Sequence, residues 1–187
     1  NYKWQVNKKL EGAFSIGFLD SRINLEVALY RDRCGNQLTR YPTPFYTGFP
    51  SVTANWPAVV DNKGFELSIN ANLINTENFN WTMTLNGGRN SNILKDYPNI
   101  QNSPYASTLK IGESINTVYL YHYTGVDPLT GNYTFEDRNR DGVVSGDEPR
   151  GPGIGDKYVR VDLSPKFSGG MGNTFTYKKF SLSCFFD

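Results

Sequence analysis

The densest chemistry in the sequence is the run Asp137-Arg138-Asn139-Arg140-Asp141-Gly142-Val143-Val144-Ser145-Gly146-Asp147-Glu148. It fits the calcium-loop pattern D-x-[DN]-x-[DN]-G-x5-E. In that pattern, side-chain oxygens at positions 1, 3 and 5 converge on one cation. The glycine permits a sharp bend, and a backbone carbonyl and a final carboxylate complete the oxygen shell. The expected ligands are therefore Asp137, Asn139, Asp141, the carbonyl of Val143 and Glu148, with Ca²⁺ as the ion and Ser145 placed to hold a bridging water. The flanks are not EF-hand helices, because Tyr133-Thr134-Phe135 reads as strand and Pro149 stops any helix after the loop. The plain alternative is a solvated Asp/Asn turn whose side chains cap their own backbone.

Aromatic rings are the second candidate. Tyr41, Phe45, Tyr46, Phe49 and Trp56 crowd a Pro-rich stretch, and Tyr119, Tyr121 and Tyr123 alternate around His122. Exposed rings suit sugar faces, so Tyr41, Phe45, Tyr46, Trp56 and Tyr121 are candidate contacts for substrate or partner. The competing expectation, and the favoured one, is that they pack the loops themselves or seal a contact with a partner. His122 is the only histidine and sits in a strand-like run, which favours packing over catalysis. No Ser–His–Asp order and no paired carboxylates stand out, so an enzyme is not expected. Gly151, Gly153 and Gly155 lack the Lys-Ser/Thr of a phosphate loop. Cys34 and Cys184 form no C-x-x-C pair, which argues against zinc, and both fall in strand-like runs, which favours free thiols.

These residues need a scaffold, and the pattern along the chain is β. Leu10, Gly12, Phe14, Ile16 and Phe18 alternate with Glu11, Ala13, Ser15 and Gly17. After Asp20-Ser21-Arg22, Ile23, Leu25, Val27 and Leu29 alternate with Asn24, Glu26 and Ala28. The same period of two returns in Phe65–Leu73, in Trp81, Met83 and Leu85, in Phe167–Phe175 and in Phe180–Phe186. Period two is the strand signature, and helical spacing is almost absent. The expected hairpins span about 9–38, 62–90 and 166–187, with long loops over about 39–61 and 91–160.

The polar face separates two kinds of β protein. A soluble sandwich usually solvates its outer face with many Lys and Glu side chains. Here that face is mostly Ser, Thr, Asn and Gly, which suits a wet, crowded lumen, while the apolar face suits lipid. Strands of about 9–11 residues span a bilayer when tilted. Short links after Leu19, Ile74 and Tyr177 alternate with long links after Leu38 and Arg89, as in an up-and-down membrane barrel.

Bulk numbers permit this. The 187 residues are 38% hydrophobic and 14% aromatic, with a net charge of +1 from 19 basic and 18 acidic residues. The mean hydropathy of −0.51 does not exclude a barrel, whose strands show lipid only at every second residue. The charge balance points to no nucleic-acid partner. No apolar run approaches the roughly 20 residues of a membrane helix. The chain opens without Met and without a secretory signal, so its true start is expected elsewhere.

Several segments carry a family resemblance. They are Leu29-Tyr30-Arg31, Thr47-Gly48-Phe49, Asn62-Lys63-Gly64-Phe65-Glu66-Leu67, the alternation from Trp81 to Asn86, Tyr123-Thr124-Gly125-Val126-Asp127-Pro128 with Thr130-Gly131, Asp137–Gly142, and Pro165-Lys166-Phe167-Ser168-Gly169-Gly170. In order and spacing over nearly the whole chain, they resemble the C-terminal barrel region of SusC/RagA-type TonB-dependent outer-membrane transporters. Where the family's loop reads N-G-D-G, this chain has Asn139-Arg140-Asp141-Gly142, which keeps the acidic positions.

The resemblance implies an all-β, antiparallel transmembrane barrel of about 22 strands with an N-terminal plug. This chain would supply about six of those strands, without the plug or the barrel's closure. It further implies a multi-pass protein of a Gram-negative outer membrane, in contact with membrane lipid. Its expected work is uptake of a glycan or peptide with a SusD-like surface lipoprotein, energised by the TonB complex through parts outside this chain. The competing expectation is a secreted, calcium-stabilised β-sandwich that binds carbohydrate.

Overall fold

In the computed structural model, residues 2–146 and 152–187 are described. Among the described residues twelve strands run in chain order: β1 Val6–Phe18, β2 Ile23–Gly35, β3 Leu38–Pro42, β4 Ser51–Asn55, β5 Val59–Asn75, β6 Phe79–Asp96, β7 Thr117–Leu120, β8 Tyr123–Val126, β9 Tyr133–Phe135, β10 Val159–Asp162, β11 Ser168–Tyr177 and β12 Phe180–Phe186. Six of them form one antiparallel sheet in the order β1-β2-β5-β6-β11-β12, and the others pair as β3-β4, β7-β10 and β8-β9. Among the described residues, no helix is long and apolar enough to cross a membrane. The chain divides into two compact units. One gathers Lys8–Asp32, Asn62–Ser91 and Pro165–Asp187, and the other gathers the residues up to Asn7, Arg33–Asp61 and Asn92–Ser164.

The first unit is the sheet, and its register makes two faces. Residues directly opposite in antiparallel strands share a face. Phe79, Tyr177 and Phe180 form one row, and Trp81, Phe175 and Leu182 form the next. Beyond them lie Met83, Asn173 and Cys184, then Leu85, Met171 and Phe186. The alternate rows are Asn80, Thr176 and Ser181, then Thr82, Thr174 and Ser183, then Thr84, Gly172 and Phe185. On that second face hydroxyls meet across strands, with Thr174 Oγ1 3.0 Å from Ser183 Oγ and Thr176 Oγ1 3.4 Å from Ser181 Oγ.

Among the described residues of this unit, no layer packs over the apolar face. Leu29 lies on β2 with a strand on either side, yet it is 62% exposed. Phe65 on β5 is likewise exposed, and Ile16, Leu25, Val27, Leu67 and Ile69 are only half-buried. The one polar side chain in these rows, Asn173, is satisfied within the face. Its Oδ1 accepts the indole N–H of Trp81 at 3.1 Å, and Trp81 stacks on Phe175 with centroids 5.4 Å apart.

Three short turns, at 19–22, 76–78 and 178–179, join the hairpins at one end of the sheet, and the long excursions leave from the other. The strands outrun the expected lengths. β5 starts at Val59 and β6 continues to Asp96, giving 17 and 18 residues where 9–11 cross a bilayer. Two physical reasons explain the difference. The first lies at Gly87-Gly88, through which the strand continues. A Cβ at Gly88 would lie 2.8 Å from the Phe65 carbonyl oxygen, so glycine there permits close backbone approach. Further along, Val60 and Leu94 are buried in a core of the second unit, which keeps both strands extended.

That core comprises Ala58, Val60, Leu94 and Tyr97, with Trp56, Ile100, Tyr105, Leu109 and Ile115 packed on it. The expected loop at 39–61 therefore contains the β3-β4 hairpin, and the expected loop at 91–160 contains the end of β6 and four short strands. Cys34 and Cys184 are free thiols, and Cys34 is buried.

Candidate ligand and cation sites

The acidic loop is folded by its own side chains. Asp137 accepts the backbone N–H of Asp141 at 3.3 Å and of Gly142 at 2.8 Å. Asn139 Oδ1 accepts the Asp141 N–H at 3.1 Å, and Asp141 Oδ1 accepts the Val143 N–H at 2.8 Å. Arg140 and Gly142 take left-handed φ values of 59° and 87°, so the chain turns twice within three residues. Asp137, Asn139 and Asp141 are thus brought to one tight loop. In addition, the Asn139 amide donates to Asp141 Oδ2 at 2.8 Å. Glu148, the expected twelfth-position ligand, lies outside the described residues. Among the described residues, no group of three or more His, Cys, Asp or Glu side chains is placed to hold a metal. The oxygen donors gathered in the described part of the loop are two carboxylates, the Asn139 amide oxygen and the Val143 carbonyl, and the side-chain oxygens accept N–H groups of the loop. These are hard oxygen donors, which suit Ca²⁺.

Sequence reasoning missed Asp156. It is fully buried, and its carboxylate accepts the N–H of Arg138 at 2.8 Å and of Ser145 at 2.8 Å. These backbone bonds, led by that from Ser145, hold its pKa below the usual carboxylate value. The side chain thereby ties together the two flanks of the acidic loop. The only signal in the sequence was a lone acid after a Gly-rich run, which is indistinguishable from a solvated turn. Glu136 was missed as well. Its Oε2 accepts Tyr158 Oη–H at 2.6 Å and lies 2.6 Å from His122 Nδ1. The phenol first, and then the imidazole, keep its pKa low. Arg138 lies 4.6 Å over the Tyr158 ring. His122 thus belongs to a surface network of packing and charge.

The candidate aromatic residues divide. Tyr41 and Trp56 pack into the second unit, each about 5.9 Å from Tyr105, and burial pushes the Tyr41 phenol up to about 12. Tyr121 packs on Phe135 at 5.5 Å with Lys157 over its ring. Phe45 and Tyr46, by contrast, are 100% and 88% exposed at the tip of the β3-β4 hairpin. That tip is ordered. Thr47 N–H bonds the Pro44 carbonyl at 3.0 Å, Gly48 N–H bonds that of Phe45 at 3.3 Å, and the Thr43 hydroxyl bonds that of Phe49.

The polar face of the sheet carries a recess of about 520 Å³ that the sequence did not indicate. Glu26, Tyr30, Glu66, Ser68, Asn86 and Asn90 contribute its polar lining.

No protein-family model matches the chain. Over its whole length it is 28% identical to TonB-dependent receptor P3 of Formosa agariphila, of which it covers 20%. It is 24% identical over 98% of its length to TonB-dependent receptor SusC of Bacteroides thetaiotaomicron, covering 19% of that protein. Its fold matches a chain in the structure of the RagAB peptide transporter, with a TM-score of 0.77 over 97% of this chain, 21% of that chain and 22% identity. The chain thus spans about one-fifth of the length of the relatives it matches.

Proposed function

We propose, from a chain homologous along its whole length to TonB-dependent receptors of the SusC type, that it forms wall and outer loops of an outer-membrane nutrient importer. The single observation that carries this reading is the pair of opposed faces. One is apolar and uncovered even at Leu29, and the other is lined with Ser, Thr and Asn. A soluble sandwich would bury the first under a second sheet. Lipid covers it without burying it in protein, and water in a lumen solvates the other face.

In this reading the short turns face the periplasm, and the loop segments with their own core contribute to a substrate vestibule. The chemistry is gated passage with no covalent step. Energy comes from TonB through segments beyond this chain. The substrate class is a peptide or glycan, delivered with a SusD-like lipoprotein, and the stiff Phe45-Tyr46 tip is the candidate contact for substrate or partner. The structurally similar RagAB is a peptide transporter, which favours a peptide as the first substrate to test.

Detergent dependence tests the class. The protein is expected in the outer-membrane fraction and monodisperse only in detergent. Monodispersity in plain buffer, with Leu29 and Leu67 shielded from solvent labels, would favour the sandwich.

A second reading concerns the acidic loop. Asp137, Asn139, Asp141, Val143 and Glu148 hold Ca²⁺, and Asp156 presets the loop that presents them. The spacing of these residues motivates it, while the bonds from Asp137 and Asp141 to the loop's own N–H groups also fit the plain Asp/Asn turn. Calorimetry with Ca²⁺ on wild type and Asp141→Ala is the test, and equal heats overturn it.

A further inference from the structure

Charge divides by face over most of the six-stranded sheet, apart from Lys9, which lies inward beside Glu11, and Asp61, which has the parity of Lys63 on β5 and pairs with Arg33 at 2.7 Å. On β1, Lys9 Nζ meets Glu11 Oε2 at 2.6 Å, which places these two on one face. Strand alternation then puts Lys8 on the opposite face with Leu10. The same parity places Arg31 with Leu29 on β2, Lys63 with Phe65 and Leu67 on β5, and Arg89 with Leu85 and Gly87 on β6. Each of these four cations is the next outward-facing residue beyond the apolar stretch of its strand, or within one position of it. All four lie at the end away from the short turns. The acids of these strands within the same unit, Glu11, Glu26, Asp32 and Glu66, have the other parity and face inward.

Two aromatic residues accompany the cations. Phe65 lies two residues from Lys63, and the Phe167 ring stands where a Cβ on Gly87 would be 2.9 Å from it, two residues from Arg89. The turn end is different. There Lys178 and Lys179 mix with Asp20 and Glu77, and the Arg22 guanidinium is taken up by the carbonyls of Asn72 and Leu73. Among the described residues, Lys8, Lys63 and Arg89 have no carboxylate within 4.0 Å, while Arg31 takes part in another interaction.

We propose that Lys8, Arg31, Lys63 and Arg89 form a cationic rim that binds the phosphate groups of lipids in the leaflet on the long-loop side. The inference rests on the barrel reading. Basic side chains at the border of an apolar band lay their stems on it and hold their charge at headgroup depth. There an ammonium or guanidinium donates charge-assisted hydrogen bonds to phosphate oxygens, in pairs from arginine. With the acids turned inward, no carboxylate on the outer rows of that unit repels the anion.

The probe is diphosphoryl lipid A, set against the same lipid stripped of its phosphates. Each is titrated into the intact detergent-purified protein and followed by native mass spectrometry. Wild type should prefer the phosphorylated form about a hundredfold, which is about fivefold for each of three basic side chains at an anionic surface. The triple variant Lys8→Gln, Lys63→Gln, Arg89→Gln should bind both forms alike. The charge-preserving pair Lys63→Arg, Arg89→Lys should keep the preference. Unchanged heat-modifiable gel mobility shows that each variant has folded. Equal binding of both lipids by wild type, in a protein that needs detergent, overturns the rim alone, as does a preference that survives in the triple variant. A protein monodisperse without detergent that binds neither lipid overturns the barrel reading and the rim with it.

Discussion

Placing an arginine at two neighbouring positions of β5 tests the assignment of faces. From Phe65 to Leu73 the outward row runs eight steps, or about 26 Å along the strand at roughly 3.3 Å per residue. A strand tilt of about 40° reduces this to about 20 Å of membrane depth. Ile69 is the middle of that row, so Ile69→Arg puts its charge about 10 Å from either boundary. A charge near the midplane on the lipid face costs about 2–4 kcal/mol, falling to about 0–1 kcal/mol near an interface. Ser68 is the adjacent residue on the opposite face, where Glu26 and Glu66 line the recess with it. Ser68→Arg should cost under about 1 kcal/mol, as a polar-face substitution near acids does. The assay is refolding into lipid vesicles over a guanidinium series, with gel mobility reporting the folded fraction. Ile69→Arg should lower the folding equilibrium constant by roughly thirty- to seven-hundredfold, at 1.4 kcal/mol per factor of ten. Phe65→Arg, at the rim, should be much milder. Equal costs at 68 and 69, or a cost at 65 matching that at 69, would refute the lipid-facing assignment.

Individual contacts set the other expected outcomes. Gly64→Ala should destabilise by about 1–3 kcal/mol, since its Cβ would meet the Arg89 carbonyl oxygen at 2.5 Å and Tyr30 Oη at 2.6 Å, whereas Gly12→Ala, in open space, should be neutral. Vesicle unfolding of both variants checks this. Trp81→Phe removes the donor to Asn173 and should cost about 1–3 kcal/mol, with Asn173→Leu in the same chain recovering much of it. A double-mutant cycle is the measurement. Asp156 and Glu136 both have folded pKa values below their usual ones, so what they add is complete above the ordinary carboxylate range and is lost as pH falls through the lowered values. Hydrogen exchange of segment 138–146, corrected for intrinsic rate, should therefore quicken below about pH 4, and Asp156→Ala should show that fast exchange already at neutral pH.

Local pattern determined a good deal. Which residues share a face is dictated by the two-residue period of an extended chain, so the rows containing Leu25, Leu67 and Met83 were legible before any strand was paired. The three tight turns were legible for the same reason, because the alternation breaks briefly at Asp20, Thr76 and Lys178. The spacing Asp137, Asn139, Asp141, Gly142 also spoke for itself, since a loop of that kind is closed by its own side chains.

Only tertiary structure decided the rest. Pattern alone does not explain a Gly-Gly pair inside a strand, and at Gly88 the neighbouring backbone at Phe65 comes too close for a side chain. Tyr41 and Trp56 cannot be told from Phe45 and Tyr46 by type or neighbourhood, yet one pair is packed against Tyr105 and the other is exposed. That difference lies in which distant segments, Leu94–Leu109 above all, fold onto the hairpin. Asp156 became a clasp only when the chain brought it to the N–H groups of Arg138 and Ser145. The acidic loop could be read from spacing, but the buried carboxylate that holds its flanks depends on contacts 11 and 18 residues away.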